Sequence, residues 1–469
     1  MKSILFNSDK MKPERFFLII AFLFGVSFLV LTPPFQSPDE INHFYKAYQI
    51  SEGQFVSVKE DQRVGGYIPV SLVKVTELFL GLRWNAASKI NSKTILGQFA
   101  IPLNEKEKVF VDFPNTAMYS FVSYLPQASI ICVLRVFESP PLVLFYGARF
   151  FTLLCWIWSV FYVLKIIPFY KWFFVLMTLL PMSVFINMSL SADMVTNSIS
   201  FILISYLLKL AYEEDRISNK KMAFVYLLVF LLASAKLVYI PVIVLFILIP
   251  KEKWHKPSVY YTQGIGLFVF AFATVVMWSM IMAHLYTPYS VYNTQFRDGI
   301  TLVSCANMYE QLHYILTHGF YIFKVLMHSM KYSFDMYFQG CIGTFGWLDT
   351  YLPMSVIHAS YAVLFIVACL DGAKAYTLSL YNKCIILSSL LATLFLILVS
   401  QHLTWDCVGG DVILTIQGRY FMPVFPLLFL LCYRDKSVQP KIVVWLVMSF
   451  SIVILLLTMK VLYERYYIS

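Results

Sequence analysis

The sequence predicts an all-α, polytopic membrane protein. Three observations carry this. Hydrophobic residues make up 59% of the chain and charged residues 13%, whereas a soluble domain is near a quarter charged. The apolar residues gather in many runs of about 17–25 residues, the length that crosses a hydrocarbon core about 30 Å thick. The Lys and Arg residues fall in short clusters between those runs, as cytoplasmic loops require.

The first run, Phe16 to Thr32, ends in Thr-Pro-Pro-Phe rather than at a small-residue cleavage site, and reads as a retained first helix. Lys2, Lys10, Lys12 and Arg15 precede it, which places the N-terminus in the cytoplasm and residue 33 onward outside. The clusters Lys165/Lys171, Arg216/Lys220/Lys221, Lys251/Lys253/Lys256, Lys374/Lys383 and Arg434/Lys436/Lys441 then mark successive cytoplasmic loops. Spans that keep this parity run over 16–32, 142–164, 172–188, 194–212, 221–234, 237–250, 258–283, 353–371, 382–401, 418–433 and 442–461, eleven in all. Segment 117–137 counted as a span would put Lys165 and Lys171 outside, so it reads as re-entrant or interfacial; the alternative count is twelve or thirteen.

Residues 1–469 thus form one integral membrane domain with two long outer regions, 33–141 and 284–352. Both carry amphipathic helical patterns rather than Gly/Ser-rich linker composition, and should fold against the membrane as interfacial helices. The net charge of +10 is explained largely by loop topology and calls for no nucleic acid partner. The eight cysteines form no CxxC pair and no zinc spacing; a disulfide among Cys305, Cys341 and Cys407 stays open.

The polar positions concentrate on one side. "SPDEINH" (37–43), "FPNTAMYS" (113–120), "NMSLSADMVTN" (187–197), "SAKLVY" (234–239), "GTFGWLD" (343–349) and "QGRY" (417–420) all map to outer loops or outer helix ends. Convergence on a single outer cavity is the economical explanation, since ionisable groups near membrane depth usually face such a cavity. A purely structural reading of the first motif is strong: Ser37 as N-cap, Pro38 at N1 and Glu40 at N3 make a capping box, with Asp39 at the positive end of the helix and Gly53 as its stop. Ser191 can likewise cap a helix that carries Asp193 in its first turn. Lys236 lies at an outer turn and calls for an anionic partner. Arg419 opens a helix, where a cation opposes the dipole, and is better explained as a bidentate clamp on phosphate or carboxylate. Arg149 sits inside its span and either snorkels or pairs internally, and Trp347 and Asp349 also fit an interfacial anchor and a helix cap.

No GxxxxGK[ST] loop, HExxH or GxSxG is present, so NTP hydrolysis, zinc proteolysis and α/β-hydrolase chemistry have no visible basis. Any reaction on this face must draw its energy from the substrate.

Taken in order, "PDEINHF", "FPNTAMYSFVSYLPQA", "NMSLSADMVTNSISF", "AKLVYIPV", "GWLD" and "QGRYFMP" resemble a bacterial family of polytopic membrane proteins of unknown function, itself similar to the GT-C superfamily of membrane glycosyltransferases. The resemblance covers nearly the whole chain. It implies a GT-C-like enzyme of the bacterial inner membrane that moves sugar from a polyprenyl-phosphate donor to a surface glycan on the extracytoplasmic face. In GT-C enzymes a carboxylate in the first outer loop is the base, and one branch carries an adjacent Asp-Glu pair there, which Asp39 and Glu40 match. No metal-binding DxD is present, so no metal ligand is assigned, and a divalent cation has no motif to support it.

The expected roles follow. Asp39 deprotonates the acceptor hydroxyl in an inverting displacement, with Glu40 or His43 orienting it. Arg419, Lys236 and Arg149 hold the donor phosphate. Asp193, Asn197, Trp347, Asp349, Asn115, Tyr119, Gln417 and Tyr420 line the sugar and acceptor pocket. The competing expectations are a flippase or transporter of a lipid-linked glycan, and a glycan polymerase or ligase. The acceptor class stays open among O-antigen, teichoic acid, another wall polymer and a protein.

Overall fold

A computed structural model describes residues 11–435 and 440–468. Lys2, Lys10 and Lys436, used above for topology, lie outside the described residues. Among these, six helices are long and apolar enough to cross a membrane, including Pro13–Leu31, Pro141–Ile166, Asp193–Tyr212 and Leu380–Trp405. The protein is an all-α polytopic membrane protein. Pro13 at the first helical position opens the first span, and the Pro33-Pro34 pair closes it by excluding helix from the residue before. Asp193–Tyr212 is the bundle's axis, with 83% of its apolar window buried, while the helix from Pro257 is peripheral at 22%. The remaining predicted spans are short or broken. Segment 172–188 is two helices, Lys171–Thr178 and Pro181–Asn187, split where Pro181 cannot donate to the preceding turn. Leu237–Leu248 is a 3₁₀ helix containing Pro241, and 418–433 divides into Gly418–Val424 and Phe425–Leu430. Leu125–Val136 has 12 residues, about 18 Å of helix, too short to cross the bilayer. It packs on Pro141–Ile166 and on Glu40–Ser51.

The basic clusters meet at one end of this bundle: Lys253 Nζ donates to the Leu210 and Ala211 carbonyls, and Lys383 Nζ to those of Leu431 and Tyr433. The two long connections meet at the other end. Tyr292 donates to Asp112, and Asn293 pairs through its backbone with Gln62. A Cys305–Cys407 disulfide ties the second connection to the end of Leu380–Trp405, which settles the open cysteine pairing; Cys341 is free and buried.

The first connection is not purely helical as the patterning implies. It contains a three-stranded antiparallel sheet, Val58–Glu60, Arg63–Pro69 and Lys108–Asp112 in that spatial order. Gly65 is required there, because a Cβ would sit 1.8 Å from the Val111 carbonyl oxygen. The sheet packs on Glu40–Ser51 in a second core that includes Phe44, Tyr48, Ile68, Phe113 and Phe145. Within it Lys46 is fully buried, donating to Ser57 Oγ (2.7 Å) and Gln49 Oε1 (3.2 Å). Burial pushes the Lys46 ammonium down to about 7, against about 10.4 in an unfolded chain. Between those values the unfolded state binds more protons, so stability rises with pH. The thermal midpoint is expected to climb from pH 7 to pH 10, with Lys46→Met flattening the climb; an equal slope in the variant would show that the charge on Lys46 does not matter.

Candidate functional site

The site begins with a lock that is not itself exposed. Glu40 and Arg149 are both fully buried and form a bidentate pair, Nε to Oε1 at 2.8 Å and Nη2 to Oε2 at 2.5 Å. Arg149 also donates to the Thr32 carbonyl (2.8 Å), one of the orphan acceptors at the end of the first span, and to that of Pro33 (3.3 Å). Glu40 Oε1 further accepts from the Leu190 amide (3.2 Å). Three segments distant in sequence, around residues 32–40, 149 and 190, are thereby fastened, and Asp39 and Asp193, close in sequence to Glu40 and Leu190, are brought to either side of Arg419. This corrects two expectations: Glu40 does not stand beside Asp39 as a free carboxylate, and Arg149 has no face open to a phosphate. The capping box is also only half made. The helix starts at Glu40, with Asp39 as its N-cap in left-handed conformation (φ 59°), a region Asp tolerates better than most residues. Glu40 Oε2 lies 3.4 Å from the Ser37 amide, but Ser37 Oγ makes no hydrogen bond.

Asp39 Oδ1 accepts from Asn115 Nδ2 (3.1 Å), whose own oxygen accepts from Asn42 (2.6 Å). Asp39 Oδ2 lies 4.0 Å from Arg419 Nη2. Arg419 Nε is 3.4 Å from Asp193 Oδ2, and Lys236 Nζ 3.4 Å from Asp193 Oδ1. The chain of charges Asp39, Arg419, Asp193, Lys236 is therefore alternating and balanced, and Lys236 has the anionic partner its position called for. Side-chain exposure separates their roles: Asp39 keeps 29%, against 14% for Lys236, 11% for Asp193 and 4% for Arg419. Asp39 is the group that a ligand reaches first. Burial raises its carboxyl above the ordinary range, although Arg419 and Asn115 oppose the rise.

Arg419 differs from Arg149 in what it leaves unsatisfied. Its Nε and Nη1 are buried without a hydrogen bond, as is Asp193 Oδ2. Gly418 lets it approach, since a Cβ there would lie 2.3 Å from the Cys341 amide nitrogen and 2.5 Å from the Tyr337 carbonyl oxygen. Gly418→Ala is expected to push the segment carrying Arg419 away from Cys341 and to destabilise the protein by about 1–3 kcal/mol. An unchanged thermal midpoint in detergent would show that the close approach at Gly418 is dispensable.

His43 is buried, with Nδ1 2.7 Å from Tyr124 Oη. Burial lowers its imidazolium to about 3, so it is neutral at physiological pH. Lys236 lies 4.3 Å from the ring centre of Tyr420 and 5.9 Å from that of Tyr119. A cavity of about 350 Å³ opens beside Arg419, lined also by Pro38, Phe185, Met336 and Gln417. Another, of about 240 Å³, opens beside Lys236, lined also by Asn115, Tyr119, Trp278, Gln401 and Trp405. A wider groove, about 930 Å³ between Leu31, Ile95, Tyr146 and Tyr467, contains none of the four charges.

Three expected pocket residues are engaged elsewhere. Asn197 donates to Asn187 inside the bundle. Trp347 Nε1 donates to the Phe35 carbonyl (3.0 Å), and Asp349 pairs with Arg465 of the last helix (2.8 Å). Each is a tie between segments, although Asn197 Oδ1 is left buried without a hydrogen bond. The sequence reading missed Trp278, Gln401 and Trp405, which sit in or at the end of ordinary apolar runs, and Arg83, whose charge acts on Asp39 while its guanidinium lies over Trp84 and Trp347. Among the described residues no group of His, Cys, Asp and Glu is placed to hold a metal ion.

The family model for predicted membrane proteins DUF2142 matches residues 22–428, most of the chain. This chain belongs to the DUF2142 family. No curated protein and no solved structure matches it. In this DUF2142 protein the matched region spans Asp39, Asp193, Lys236 and Arg419 together.

Proposed function

We propose that this DUF2142 protein is a GT-C-type glycosyltransferase that moves a sugar from a polyprenyl-phosphate carrier to a cell-surface glycan such as O-antigen or a wall polymer. The observation that carries the proposal is the guanidinium of Arg419: a buried cation whose Nη1 makes no hydrogen bond and whose carboxylate partners stand off at 3.4 and 4.0 Å, next to a raised, accessible carboxylate and two cavities. A buried unpaired donor costs about 1–3 kcal/mol, which an incoming anion returns. The basic end of the bundle lies in the cytoplasm by the positive-inside rule, so the site faces outward. The acceptor oxygen attacks the anomeric carbon as the bond from that carbon to the phosphate oxygen breaks. The acceptor proton passes to Asp39, and the phosphate leaves with the bonding electron pair, held by Arg419 with Lys236 nearby. Asn115 orients Asp39, and neutral His43 fixes the neighbouring wall through Tyr124.

The test is sugar transfer by purified protein in nanodiscs, over a panel of undecaprenyl-phosphate monosaccharides and glycolipid acceptors. Transfer is expected with one donor, and Arg419→Lys should reduce it by about 10²–10³-fold because an ammonium cannot reproduce the planar fork. Donor movement between leaflets of proteoliposomes, without transfer, would replace the enzyme with a flippase.

A further inference from the structure

The two cavities beside Asp39 differ in kind. At Arg419 the walls are mostly apolar, with Met182, Phe185, Ile186, Met336 and Leu348, and carry Asp335, Gln339 and Gln417 beside a single guanidinium. At Lys236 they include Trp278 and Trp405 with Ser234, Ser279 and Gln401, and the side chains of these three polar residues make no hydrogen bond to another described group. Flat aromatic faces with unspent hydrogen-bonding groups suit a sugar, whereas flexible Met and aliphatic walls suit a hydrocarbon. Asp39 stands between them and contacts one wall residue of each: Oδ1 accepts from Asn115 of the Lys236 cavity, and Oδ2 lies 4.0 Å from Arg419 of the other.

A second observation gives the Arg419 cavity an exit. Along Tyr321–Tyr332 the residues Phe323, Met327 and Met330 are exposed at spacings of four and three on one helical face, with Lys324 and Lys331 exposed beside them, and Phe334 and Met336 are exposed on the next helix, Phe334–Gly340. Met327 is 72% exposed. The opposite face, with Val325, packs on Ile413 and Ile416, against which Leu398 of the Leu380–Trp405 span is also packed. Met336 is both exposed and part of the cavity wall.

We infer that the Arg419 cavity takes the polyprenyl-linked phosphate, with the tail leaving over Met336 along this row into the outer leaflet, and that the Lys236 cavity takes the hydroxyl-bearing glycan. This rests on the transferase reading and assigns its substrates to opposite sides of one carboxylate. The test uses undecaprenyl phosphate carrying a diazirine in its tail, photolysed with the full-length protein in nanodiscs and mapped by peptide mass spectrometry. Adducts are expected within residues 316–348, with Met336→Trp reducing their yield. Adducts at 275–279 or 400–405, or none in either region, overturn the assignment. In transfer kinetics Gln401→Ala should raise KM for the acceptor about tenfold, the loss of about one hydrogen bond, with KM for the donor unchanged; a rise in the donor KM alone would reverse the two cavities. Adducts in the expected region without transfer by any donor would defeat the transferase and leave the lipid-phosphate site standing.

Discussion

Asp39→Asn is expected to lower sugar transfer by about 10²–10⁴-fold, the usual contribution of a positioned general base, while leaving the fold and donor binding in place. The substitution is conservative where it matters for structure. Asn tolerates the left-handed conformation of residue 39 as Asp does, and its amide oxygen still accepts from Asn115. What is lost is the capacity to take a proton. The pH profile gives an independent check with a definite sign. A general base works deprotonated, so transfer falls as pH drops through its pKa. Burial raises that of Asp39, so the acid limb of kcat/KM should lie above the ordinary Asp value of about 3.9. His43, held neutral down to about 3, does not contribute to that limb, and His43→Asn should retain it. Full transfer by Asp39→Asn with the same limb would reduce Asp39 to a helix cap.

The parts of this site that were legible in the sequence share one property: they are polar groups at helix ends, where apolar surroundings make them conspicuous. Asp39, Asp193, Lys236 and Arg419 stand out this way and do lie together, since lipid leaves ionisable groups few other places to go, but around them the structure opens two cavities rather than the single one expected. Roles were harder to read than positions. Arg149 and Arg419 were both assigned to the phosphate, although one lies inside a span and the other opens a helix, and their partners separate them: one fills its donors with Glu40 and the carbonyls ending the first span, and the other leaves Nη1 without a hydrogen bond and meets its carboxylates only at 3.4 and 4.0 Å. Glu40 and Arg149 are 109 residues apart, and no local pattern signals that pairing. The three-stranded sheet was missed for a related reason. Its second and third strands, Arg63–Pro69 and Lys108–Asp112, are separated by helices and turns, so no hairpin turn joins them to announce the register. Asp349 and Trp347 misled because helix-end polarity also marks ties such as the Asp349–Arg465 pair.

Arg149→Leu should destabilise the protein by about 3–5 kcal/mol, because it leaves Glu40 as an uncompensated buried charge. The damage should concentrate where the lock fastens the end of the first span, Glu40 and Leu190, and Asp39 and Asp193 should lose their mutual placement together with stability. Thermal unfolding in detergent reads the first effect and transfer reads the second. The double variant Glu40→Leu with Arg149→Leu separates a lock from a catalytic pair. Replacing both members of a buried ion pair with apolar groups is often close to neutral, so the double variant should recover much of the midpoint that the single variant lost. If transfer returns with stability, Glu40 acts by holding Asp39 in position and its charge is dispensable. If the double variant is stable and still inactive, the Glu40 carboxylate takes part in the reaction itself, and the adjacent Asp-Glu pair is a functional unit despite its burial.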